Sequence, residues 1–91
     1  MKKGKLENGF EYEVDETILD DMEFLEKCAD MARGTDPWAM FDVIDRVFPG
    51  DEKKRAYDFV RDTETGRVSA EAVAELMNDV LMDAREDGKN S

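Results

Sequence analysis

Between Asp15 and Gly34 the chain runs without proline, and without glycine before its last position. Asp15 suits an N-cap, acidic residues crowd the first turns where the helix dipole favours them, and Arg33-Gly34 reads as a C-terminal stop. Ile18, Met22, Leu25, Ala29 and Ala32 recur at four- and three-residue steps, which predicts one apolar stripe on a helix over residues 16–33. A lone helix cannot bury such a stripe. The other segments have to cover it.

Before this run, Phe10, Tyr12 and Val14 alternate with Glu11 and Glu13, the period of a half-buried strand, and the spacing predicts a β-hairpin over residues 4–14. A three-residue loop, Glu7-Asn8-Gly9 with Gly9 left-handed, pairs Leu6 with Phe10 and keeps the apolar side chains on one face. An isolated ribbon is marginal in water, so it is expected to pack on the long helix. After Gly34, Asp36-Pro37 is an N-cap followed by proline at a first helical position, predicting a helix over 37–48. Trp38, Met40, Phe41, Val43, Ile44, Val47 and Phe48 make it apolar over more than half its circumference, so it is either central or sticky on one side. Phe41, Ile44 and Phe48 are assigned to the core. Pro49-Gly50 breaks the chain, Asp51 is expected to cap a helix over 51–62, and Ser69 starts a helix over 70–86. Val73, Leu76, Met77, Val80, Leu81 and Ala84 form its stripe, and residues 88–91 make a polar tail expected to fray. The expected fold is a mainly α domain over residues 1–91: a small four-helix unit preceded by an N-terminal β-hairpin.

Composition narrows the function. The formal charge is −11, from 24 acids against 13 bases, so phosphate backbones and anionic lipid surfaces are poor partners. Lys53, Lys54 and Arg55 form a dense basic patch, read as a solvated face or as ion-pair partners. There is no histidine, and Cys28 alone forms neither an internal disulfide nor a zinc site. No leader or membrane span is recognised, which points to a cytoplasmic protein. The loop 62–69 invites comparison with a calcium loop, but placing Gly66 sixth puts Arg61 first and Ala72 twelfth, where carboxylates are needed. No metal, cofactor or catalytic residue is assigned, and an enzyme is not expected. Contact chemistry is. Trp38 and Met40 near one edge, with Phe24 and Met31 on the long acidic helix, are the candidate partner-binding residues.

The order Asn-Gly-Phe-Glu-Tyr-Glu-Val, Asp-Asp-Met-Glu-Phe-Leu-Glu, Asp-Pro-Trp-Ala-Met, Gly-Arg-Val-Ser and a final Gly-Lys-Asn-Ser resembles the short tail assembly chaperones of long-tailed phages and prophages of Gram-positive bacteria. The resemblance covers nearly the whole chain and lies in order, length and ending, not in one sharp motif. It implies a non-enzymatic role in the host cytoplasm: keeping the tape-measure protein soluble and helping recruit tail-tube subunits, with self-association common and absence from the finished particle typical. It also implies a frameshifted longer form. Gly88-Lys89-Asn90 can be encoded as GGA-AAA-AAC, which contains a slippery heptamer, though synonymous codons remove it. A reading of a different class is an acidic regulatory or inhibitory module that mimics DNA in the groove of a basic protein.

Overall fold

The computed structural model describes the backbone of residues 1–90 and the side chains of residues 1–86. Among the described residues the chain forms strands β1 (Lys2–Lys5) and β2 (Glu11–Val14), a 3-10 turn (Glu16–Asp20) and helices α1 (Met22–Arg33), α2 (Ala39–Val47), α3 (Asp51–Val60) and α4 (Ala70–Asn90). The domain is mainly α with an N-terminal antiparallel hairpin, the expected class.

The hairpin begins at Lys2, earlier than residue 4, because pairing runs from Lys2 opposite Val14 to Lys5 opposite Glu11. Its loop has the three-residue form. Leu6 N–H donates to Phe10 O and Gly9 N–H to Leu6 O, both at 2.9 Å, with Gly9 at φ 95°. Asn8 Oδ1 accepts from Phe10 N–H at 2.9 Å and ties the loop to the second strand. Phe10, Tyr12 and Val14 are all buried.

The long run is not one helix. Asp15 caps the 3-10 turn through Thr17 N–H, and Asp21 then leaves helical geometry to cap α1 through Glu23 and Phe24 N–H. That second cap resets the helical phase. The residues turned inward on α1 are Phe24, Cys28 and Met31, while Met22 is 69% exposed, Leu25 37% exposed and Ala32 exposed. The expected stripe is therefore corrected beyond Ile18, which is buried. The C-terminal stop is as read: Thr35 N–H donates to Asp30 O and Gly34 N–H to Met31 O, a Schellman arrangement with Gly34 at φ 70°.

Three further boundaries shift. Asp36 Oδ1 accepts from Trp38 N–H at 2.9 Å, but this first turn is irregular and α2 proper starts at Ala39. Asp51 is the first residue of α3 and not its cap; Gly50 (φ 60°) takes the cap position, and the helix ends at Val60. At the other end, α4 continues past residue 86 and through Gly88 to Asn90. Glycine inside a helix costs about 1 kcal/mol, a penalty that neighbouring turns can carry. Ser91 of the expected polar tail lies outside the described residues.

The element at the centre is α4, not the Asp15–Gly34 run. It packs against α2, α3, β1 and the 3-10 turn, with Val73, Leu76, Met77, Val80 and Ala84 buried along its inner stripe. The hairpin docks on it: Tyr12 Oη donates to Asp83 Oδ2 at 2.7 Å. Helices α1 and α2 pack as an antiparallel pair. Arg46 Nη2 meets Asp21 Oδ2 at 2.8 Å near one end, and Lys27 lies 3.8 and 3.4 Å from Asp36 and Asp42 toward the other. The hairpin's far side is closed by α3. Phe10 sits edge-on between Phe48 and Phe59 at 6.0 and 5.0 Å, and Arg55 Nη2 donates to Glu11 O.

Candidate functional site

Helix α2 buries one side and leaves the other bare. Ala39, Val43, Ile44, Val47 and the following Phe48 are in the core. Trp38 is 70% exposed and Phe41 54% exposed, so the assignment of Phe41 to the core is corrected. The cause is angular: Trp38 and Phe41 are three residues apart on one face, and the core occupies the face of Val43, Ile44 and Val47. The two rings stack on each other with centroids 6.3 Å apart and an interplanar angle of 28°. Stacking hides some apolar area but leaves most of both rings in water. Clustered exposed aromatics make a candidate contact surface, because tryptophan is enriched among interface hot spots.

Beside the pair lies a groove of about 240 Å³, walled by Met40, Phe41 and Ile44 of α2, Tyr57 of α3, and Val68, Ala70 and Val73 where the chain enters α4. Its walls are mostly apolar. Of the four residues expected from sequence to meet a partner, Trp38 and Met40 belong to this edge. Phe24 and Met31 do not: Phe24 is buried under the Arg46 guanidinium, 5.7 Å from the ring centroid, and Met31 packs on the core. The same Asp21 cap that moved the stripe turned these two inward. Phe41, Tyr57 and Val68, which line the same groove, were not among the sequence candidates. Periodicity could have flagged Phe41, since a helix apolar over half its circumference must expose part of it. Tyr57 and Val68 come from other elements, and only tertiary packing brings them there.

Several charged groups elsewhere pair with one another. Lys53 pairs with Asp45, Lys54 with Asp58 and Arg55 with Glu52, at 3.0, 2.9 and 2.7 Å, so the basic patch is spent on ion pairs within the chain. Arg46 and the N–H groups of Phe24 and Glu23 hold the Asp21 carboxyl below its ordinary range, and Lys54 and Arg61 do the same for Asp58. Asp45 correspondingly raises Lys53. Burial pushes the Cys28 thiol up, with Arg85 opposing it weakly, which disfavours the reactive thiolate. In the 62–69 loop the Asp62 carboxylate accepts from Glu64 and Thr65 N–H, and Arg61 donates to Gly66 O, so the loop satisfies itself. Among the described residues no three of His, Cys, Asp and Glu converge as a metal site, and no helix is long and apolar enough to cross a membrane.

No protein-family model matches the chain, and neither a curated protein nor a solved structure is similar to it.

Proposed function

We propose that the chain is a tail assembly chaperone of a long-tailed phage or prophage, a non-enzymatic protein that works in the host cytoplasm. In this reading it binds the tape-measure protein, keeps it soluble and aids recruitment of tail-tube subunits. The resemblance in segment order supplies the identity of the partners. The structural observation that supports a binding role is the exposed Trp38–Phe41 stack, whose Phe41 ring lines an apolar groove, on a chain whose charge of −11 favours solubility.

The acidic-mimic reading is less well supported. A phosphate-like array needs carboxylates presented in an uninterrupted row. Here Asp21, Asp42, Asp45 and Asp58 each face a lysine or arginine of the same chain within 3.4 Å. Such interspersed pairs break up the ordered carboxylate row that a DNA-binding groove would read, although the net charge of −11 remains.

Co-expression tests the proposal. The tape-measure protein encoded beside this chain is expected to stay in the soluble fraction when the wild-type chain is present and to aggregate without it. Trp38→Ala combined with Phe41→Ala is expected to abolish that protection while the variant itself stays folded. Equal solubility of the tape-measure protein with and without the chain would refute the assignment.

A further inference from the structure

The groove beside Trp38 and Phe41 has a size, a wall and a surrounding field, and together these specify an occupant. At about 240 Å³ it equals roughly eight waters at ~30 Å³ each. That falls short of the ~300–1,000 Å³ of a site for a drug-sized ligand, but it admits a large aliphatic or aromatic side chain. The wall comes from three helices and the segment leading into α4, with no strand edge. An incoming strand would find no ladder to join, so recognition must run through side chains. The stacked rings stand 6.3 Å apart and are both exposed. They make a ledge on which one turn of an approaching helix can rest while a neighbouring residue enters the groove.

The charge decides between occupants. The chain carries −11, so a second copy brings a like-charged surface against this one. Close to the ledge, Asp36 and Asp42 share a single lysine, Lys27. Glu71 is exposed beside the groove residue Ala70, and Arg67 stands next to Val68. The acidic excess is modest locally and large over the molecule, which favours a cationic partner through long-range steering.

We infer that this edge is a docking site for a basic amphipathic helix of a partner protein, which inserts one bulky apolar side chain between Met40, Tyr57, Val68 and Val73, lays the next turn on Trp38 and Phe41, and carries lysine or arginine along its flanks. The inference deepens the proposed function and rests on its partner-binding part, but not on the partner being a tape-measure protein.

Trp38 is the only tryptophan, so the site carries its own reporter. The probes are three synthetic tryptophan-free helices with the same leucine face and with lysine, glutamine or glutamate on the other positions. The Leu/Lys helix is expected to shift Trp38 emission to the blue, to bind at least about tenfold more tightly than the Leu/Gln helix, and to weaken as salt rises from about 50 to 500 mM. Simple charge attraction to an acidic protein is separated by two variants. Phe41→Ser is expected to weaken the Leu/Lys helix by about tenfold or more, whereas Phe59→Ser, which removes an exposed aromatic on the Phe10 side of the molecule, leaves binding unchanged. Equal binding by Phe41→Ser, no change in Trp38 emission, or salt-independent preference for the Leu/Gln helix would overturn the inference. So would burial of Trp38 by concentration-dependent self-association, which would make a second copy the occupant. A Leu/Lys helix that binds as described, together with failed co-expression, would sink the phage assignment and leave the docking site standing.

Discussion

At Gly4 the fold accepts no side chain larger than hydrogen. The residue lies opposite Tyr12 in the hairpin, and a Cβ built there would stand 2.5 Å from the Tyr12 Cζ and Oη atoms. Tyr12 is poorly placed to retreat, since it is buried and its hydroxyl donates to Asp83 on α4. Gly4→Ala is expected to destabilise the domain by about 1–3 kcal/mol, the range for overfilling a packed site, measured by urea unfolding. Asp21 governs a different property. Its carboxyl is held below the ordinary value by Arg46 and by the N–H groups it caps. Its stabilising contribution is therefore complete above the unfolded value of about 3.9 and is lost as pH falls through the lowered folded value. Asp21→Asn is expected to flatten the acid limb of stability against pH, followed by circular dichroism. An unchanged acid limb would mean that the Arg46 pair contributes nothing in solution.

Among the elements, α1 separates two readings of the same residues. An uninterrupted helix puts Met22 and Leu25 inward; the capped helix puts Phe24, Cys28 and Met31 there. Phe24→Ala is expected to cost about 3–5 kcal/mol, and Met22→Ala to stay within about 0.5 kcal/mol, both read from denaturant midpoints. The reverse order would restore the uninterrupted helix. Much of the fold was legible locally. The three-residue hairpin loop, the Gly34 stop, the Ser69 start and the α4 stripe each follow from side chains a few residues apart. The break at Asp21 was also written locally, as a second capping aspartate six residues after Asp15, but a continuous periodic pattern masked it. The role of α4 as hub was not legible, because a stripe does not say which elements will share it. The candidate site divides in the same way. Trp38 and Met40 stand out in sequence, while Tyr57 and Val68 join them only through packing between helices.

On the scale of the whole molecule, the acidic exterior carries several exposed apolar side chains, and at the Trp38–Phe41 edge two of them stack beside a groove. Ion pairs such as Asp45–Lys53 and Asp58–Lys54 tie charges within the chain. Because they are solvent-exposed, they add little stability. Their larger effect is to leave the surface soluble but patterned, with the net negative charge available for steering and the Trp38–Phe41 ledge available for contact. If the ledge is the docking site we propose, it becomes covered when the chain holds its partner. Fluorine NMR of the chain carrying fluorinated Trp38, free and with the tape-measure protein proposed as its partner, reads this burial. The Trp38 resonance is expected to move, broaden and lose its sensitivity to solvent in the complex. A complex that forms while Trp38 remains as solvent-exposed as in the free chain would contradict it.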